Sequence, residues 1–184
     1  DFGSTTYDWA NIRDIYFGQA FSLTEAQQAG LITYHCGVAV DMDYAAGGSG
    51  AFTSKVAAAL ENYFRGSGEY VSNSGAAFYD RLYANILAQR PGELSISGAP
   101  GGHAVVVDGV RHDTGGDKYY HLNMGWGGTD DAWYNLPDIT TPSGNPDFNT
   151  VGGAVLDILP TPDMNDPGTT TTNPEFTVTW DVSS

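Results

Sequence analysis

Gly98-Ala-Pro-Gly-Gly-His-Ala-Val-Val-Val-Asp-Gly109 and Tyr119-Tyr-His-Leu-Asn-Met-Gly-Trp-Gly-Gly128 decide the fold of this chain. The first is a glycine-rich turn feeding a buried strand over 104–107, with His103 at its mouth. The second is a short strand broken by Gly125, Gly127 and Gly128. Between them, Asp113-Thr-Gly-Gly-Asp117 has the composition of a hairpin loop. Folding the hairpin about Gly115 pairs residues whose numbers add to about 229. That register sets Trp126 opposite His103, with Asn123 close by. Strict alternation puts Asn123 and Trp126 on opposite faces, so a bulge or slipped register is needed to bring Asn123 to His103.

A histidine at a glycine-lined strand start, with an amide and an indole nearby, is what a cysteine or serine hydrolase requires. The imidazole works as base and acid, the amide fixes its tautomer, and the indole shields the bond from water. Spacing alone suits a core hairpin with one satisfied histidine equally well.

Four ordered blocks carry a resemblance: Tyr7-Asp-Trp-Ala-Asn-Ile12, Cys36-Gly-Val-Ala-Val-Asp-Met-Asp-Tyr44, Gly101-Gly-His-Ala-Val-Val-Val-Asp-Gly109 and His121-Leu-Asn-Met-Gly-Trp-Gly-Gly128. In order and spacing they resemble the streptopain family of secreted bacterial cysteine peptidases. The resemblance runs over residues 5 to 159. It implies a papain-like α+β domain in which His103 is the catalytic base, Asn123 its orienting amide and Trp126 the covering indole. Met124 departs from the tryptophan expected at its place, which leaves part of an aromatic wall unaccounted for. The family's nucleophilic cysteine lies on a helix upstream of the Tyr-Asp-Trp block. The resemblance therefore places the nucleophile, and the donors for the oxyanion, on polypeptide preceding residue 1. A cleaved chain, a partial one and a degenerate member lacking the nucleophile all fit that expectation.

Cys36, the one cysteine, forms no internal disulfide. The order Cys, His, Asn suits a papain-like enzyme, but the local context does not. A reactive thiolate is favoured at a helix N-terminus. Cys36 follows a helix predicted over 24–34, with Ser22 or Thr24 as N-cap, and precedes Gly37, which suits a C-cap. An extended segment, Val38-Ala-Val-Asp-Met-Asp43, is expected next. His35 is expected to interact with the helix dipole.

Composition bounds the rest. The 184 residues hold 41% hydrophobic side chains, and seven Lys and Arg against 22 Asp and Glu give a net charge of −15. Such a surface repels nucleic acid and anionic membranes. No apolar run approaches the ~18 residues of a membrane span, and no signal peptide opens the sequence. Low lysine with abundant Gly, Thr, Asp and Tyr suits a secreted bacterial protein.

The aromatic segment Tyr7, Trp9, Ile12, Tyr16, Phe17 and Phe21 is expected to pack. Tyr44-Ala-Ala-Gly-Gly-Ser-Gly50 reads as a loop entering a helix over 53–63. It lacks the Gly-Lys-Ser/Thr ending of a phosphate cradle. The resemblance assigns Gly48, Ser49 and Gly50, with Gly101 and Gly102, to substrate binding; a plain connection fits residues 48–50 as well. A helix over 76–89 with Phe78, Leu82, Ile86 and Leu87 inward, a strand over 93–97, a strand over 132–136, a loop over 137–149 and a last strand over 153–159 complete an α+β domain.

Residues 160–174 read as a Pro/Thr-rich linker, and 175–184 as the first strand of an accessory β-sandwich or a strand donated to a neighbour. His103, His112 and His121 lack the tight pairing of a zinc site. Asp41 with Asp43, and Asp130 with Asp131, lack the ligand spacing of a calcium loop. No metal or cofactor is expected.

The sequence thus predicts a secreted, extracellular cysteine endopeptidase acting on polypeptide, its nucleophile carried by an N-terminal half of the same protein. The chain alone is expected to be inactive. The rival is an inactive structural or adhesive protein of the bacterial surface that self-assembles through the C-terminal strand. A carbohydrate-binding module, suggested by eleven tyrosines and four tryptophans, is a third class.

Overall fold

The hairpin predicted from the glycine-rich segments forms, and a six-stranded antiparallel sheet is built outward from it. The computed structural model describes residues 4–13, 15–99, 101–144 and 147–160. The expected linker beyond residue 160 and the strand over 175–184 lie outside the described residues. Strands β1 (Gly66–Ser72), β2 (Gly92–Gly98), β3 (Gly101–His112), β4 (Lys118–Asn123), β5 (Ala132–Tyr134) and β6 (Phe148–Pro160) lie in the order β1-β6-β2-β3-β4-β5. Helices α1 (Leu23–Ala39), α2 (Val56–Tyr63) and α3 (Ala76–Leu87) come before the central strands. This is the α+β arrangement expected.

β3 and β4 pair in the predicted register, Val106 opposite Asn123 and Val107 opposite Leu122. A bulge then shifts the register between Val107 and Gly109. The turn closes where Asp113 Oδ1 accepts from the amides of Gly115 and Asp117. The Asp side chain mimics a backbone turn there and leaves the glycines to adopt the conformations the turn requires.

One sheet face is covered by α3. Phe78, Leu82 and Ile86 recur at helical spacing and pack on Leu94, Ile96, Val105, Val107, Tyr120 and Leu122. Each fully buried aliphatic side chain here contributes roughly 1.5–3 kcal/mol. Leu87, expected inward, is exposed. It lies about 100° around the helix from Ile86, and Asn85 is buried instead. The Asn85 amide donates to Arg90 O and its oxygen accepts from Asp157 N, which satisfies the buried polar group. On the other face α2 covers the β1 edge, with Leu60 beside Val155 at the glycines of β1.

Four further expectations are corrected. α1 does not stop at Tyr34; it runs to Ala39, so Val38 and Ala39 are helical rather than extended. Gly37 is no C-cap. It is the buried residue of α1, and a Cβ there would overlap the Tyr44 hydroxyl, so close approach explains the glycine. The last strand starts at Phe148, five residues earlier than predicted, and Ile139 within the expected loop is fully buried and bridges to Phe148. The N-terminal aromatics do not pack into the core: Trp9, Phe17 and Phe21 are exposed, and Tyr16 meets Phe21 edge-on. Ser22 is the N-cap of α1, in a reciprocal capping box with Glu25.

Candidate functional site

His103 enters the site because β3 alternates. Ile96 lies opposite it on β2 and is buried, as are Val105 and Val107 further along the same face. Its ring therefore points toward the core side at the end of the sheet. There the chain leaving β4 turns over it. His103 Nε2 lies 2.9 Å from the main-chain oxygen of Met124. A carbonyl oxygen only accepts, so Nε2 carries the proton, and in the neutral ring Nδ1 presents its lone pair. Nδ1 has no hydrogen-bond partner among the described residues.

Two aromatic rings fix the plane of the imidazole. Trp126 stacks on it at 4.9 Å between centroids and 21° between planes, and Phe148 lies near-parallel at 6.0 Å. Trp126 reaches His103 through the glycine turn, since β4 itself ends at Asn123. Gly125, Gly127 and Gly128 all take positive φ there, which side chains disfavour. Phe17 lies against Gly127, where a Cβ would meet its ring at 2.7 Å.

Phe148 escaped sequence reading because it follows Pro, Ser, Asn and Asp residues that resemble a plain loop. Its approach depends on Gly98, where a Cβ would collide with Asp147 O and lie 2.9 Å from Phe148 Cα. Met124, which stands where an aromatic wall was expected, has a side chain that is 1% exposed and belongs to the core. What it offers the histidine is its main chain.

Asn123 stands on the other sheet face from His103: it pairs with Val106, and both are exposed. Its Oδ1 accepts from Gly125 N at 2.9 Å. That N–H belongs to the peptide group whose carbonyl, Met124 O, receives the His103 proton. Asn123 thus reaches the imidazole through one peptide unit. Gly101 and Gly102 are continuous with His103 on β3, pairing with Gly98 and Ser97. Gly48, Ser49 and Gly50 lie in a separate turn, where Gly50 exchanges both main-chain hydrogen bonds with Asp43 and Gly48 N donates to Ala45 O.

Cys36 sits in the last turn of α1, its carbonyl accepting from the C-cap amide of Val40. Partial burial pushes its thiol pKa up. Burial and the negative end of the helix dipole both disfavour thiolate. His35 Nδ1 is 2.9 Å from the Tyr7 hydroxyl. A second histidine pair, His121 Nδ1 to Asp108 Oδ1 at 2.6 Å with Trp133 against the ring, lies on the outer face of β3 and β4.

Known proteins share this arrangement of segments. The model of the Peptidase C10 family matches residues 1–134. Streptopain of Streptococcus pyogenes is 32% identical over 165 residues, covering 84% of this chain and 40% of streptopain. The thiol protease/hemagglutinin PrtT of Porphyromonas gingivalis is 28% identical over 168 residues, covering 84% of this chain and 18% of PrtT. The structure of active wild-type interpain A, a cysteine protease of Prevotella intermedia, superposes with a TM-score of 0.68 at 31% identity, covering 84% of this chain and 65% of that one. This chain therefore spans about two fifths of the streptopain it matches. With the family match over most of its length and the shared α+β fold, the chain belongs to the Peptidase C10 family.

Proposed function

We propose that this chain is the histidine-bearing part of a secreted cysteine endopeptidase, with His103 as general base and acid. The observation that supports it is the state of one ring. Met124 O holds Nε2–H, Trp126 and Phe148 hold the plane, and Nδ1 is left to face a reacting group.

The chemistry follows from that tautomer. A cysteine thiol supplied by polypeptide upstream of this chain transfers its proton to Nδ1, giving a thiolate and an imidazolium. The thiolate adds to the carbonyl carbon of the scissile peptide. As the tetrahedral adduct collapses, Nδ1–H protonates the departing amine and a thioester remains. Water then attacks the thioester with Nδ1 taking its proton, which releases the acid and restores the thiol. Throughout, Nε2–H stays on Met124 O, so the positive charge of the imidazolium is met by a fixed dipole rather than by reorienting water. Cys36 is not the nucleophile in this reading, because its surroundings disfavour the thiolate. Gly48, Ser49 and Gly50, with Gly101 and Gly102, are assigned to the substrate by resemblance. Met42 and Asp43 main chain already fasten the first of these turns to the end of α1.

The test is His103→Ala in the full gene product, assayed on casein with a thiol reductant present. Hydrolysis is expected to fall by at least ~10²-fold, the low end of general acid–base contributions, and iodoacetamide is expected to label a cysteine other than Cys36 rapidly in the parent. Hydrolysis that survives the substitution overturns the assignment of His103. A parent protein with no fast-labelling cysteine and no hydrolysis favours the structural or adhesive reading instead.

A further inference from the structure

The turn that delivers Met124 O to His103 is fastened by a carboxylate that plays no part in the chemistry above. Asp131 Oδ1 accepts from the Met124 amide at 2.7 Å, reaching back across seven residues. Thr129 N to Trp126 O and Asp131 N to Gly128 O close the same turn from within. The neighbouring carboxylate faces away: Asp130 accepts from the amide and hydroxyl of Ser143, and its own carbonyl accepts from the Tyr134 hydroxyl at 2.6 Å.

Met124 is consequently held at three points. Its side chain is buried in the core, its N–H is bound by Asp131, and its carbonyl binds His103. With side chain, Cα and N–H fixed, the Cα–C bond of Met124 keeps its direction. Rotation about that bond is limited by Asn123 Oδ1, which binds the Gly125 N–H of the same peptide unit as the carbonyl. A charge-assisted bond is roughly twice as strong as a neutral one, and it sits where three positive-φ glycines would otherwise leave the turn loose. Neither Asp131 oxygen is needed to complete β5, which pairs with β4 through main chain.

We propose that Asp131 is a positioning residue for His103: through the main chain of Met124 it fixes the carbonyl that selects the Nε2–H tautomer. The role in hydrolysis rests on the reading of His103 as base, but the tautomer itself does not.

The experiment uses the 184-residue chain labelled with 15N, at a pH where the imidazoles are neutral. Long-range 1H–15N correlations distinguish the two tautomers of each of the four histidines, and His103→Gln identifies the signals of His103. The parent is expected to show His103 almost wholly as Nε2–H. Asp131→Ala is expected to raise the Nδ1–H population at least fivefold and to speed hydrogen exchange at the Met124 amide, with His112 and His121 unchanged. Asp131→Asn, whose amide oxygen still accepts from Met124 N–H, is expected to keep the parent tautomer. Should Asp131→Ala fail to fold, Asp131→Glu replaces it, since the extra methylene displaces the oxygen while the charge and turn remain. An unchanged His103 tautomer, in a folded variant whose Met124 amide has lost its protection, overturns the proposal. The casein assay on His103→Ala is independent of this one: it can remove the role in hydrolysis without touching the tautomer result.

Discussion

Asn123 Oδ1 binds the Gly125 amide at 2.9 Å, and the carbonyl of that same peptide group binds His103 Nε2, also at 2.9 Å. The amide side chain and the imidazole lie on opposite sheet faces, yet one rigid, planar peptide unit connects them. Donation at one end of a peptide and acceptance at the other polarise each other in the same sense. An Asn on the outer face can therefore steady a histidine on the inner one without touching it.

Removing that support has a measurable consequence. Asn123→Ala should cost about 1 kcal/mol, the net worth of one hydrogen bond, and lower kcat of the full gene product on casein roughly fivefold with little change in KM. Asn123→Asp keeps an acceptor for Gly125 N–H and should retain most of the rate. A large rise in KM in Asn123→Ala, with kcat intact, would show that Asn123 meets the substrate instead.

Gly98 and Phe148 form a second dependence. Any Cβ at Gly98 strikes main chain at Asp147 and Phe148, which cannot yield as a flexible side chain could. Gly98→Ala should destabilise the fold by roughly 1–3 kcal/mol, read by urea denaturation. It should also displace the Phe148 ring from His103, seen as a change in the ring-current shift of the imidazole protons. Unchanged shifts with the stability loss present would mean that β6 adjusts without moving Phe148.

These dependences also mark what the sequence could disclose. The β3–β4 register was legible because the Asp113 loop fixes it locally, and α3 because Phe78, Leu82 and Ile86 repeat at helical spacing. β1 was not: Gly66-Ser-Gly-Glu-Tyr-Val-Ser72 is an edge strand with few apolar residues, and it forms because β6 pairs with it from far along the chain. Gly37 misled for the opposite reason. A helical glycine is read as a stop, whereas this one makes room for Tyr44, and the left-handed residue comes later, at Asp41. At the site, His103 and Trp126 were legible as residue types at hairpin spacing. Phe148 and the carbonyl of Met124 were not, the first because its role needs long-range pairing, the second because main chain leaves no mark in sequence.

The cluster on Asp157 makes the pH dependence of stability predictable. Asp157 accepts from Arg81 at 3.2 Å and from Arg90 at 2.7 Å. The Arg81 hydrogen bond, opposed by burial and aided by Arg90, holds its carboxyl below the usual aspartate range. A depressed folded-state pKa means stability that is present above the unfolded value of about 3.9 and is lost as pH falls through the folded value. The side chains are about two fifths exposed, so solvent screening keeps the contribution under about 1 kcal/mol. Asp157→Asn isolates the charge, because Asn tolerates the positive φ of 53° at this position as well as Asp does. Urea denaturation at pH 7 should show the variant less stable, by up to about 1 kcal/mol, with the gap closing as the pH falls below about 4. A gap that stays constant well below about pH 4 would mean that Asp157 acts through its geometry in β6 and not through its charge.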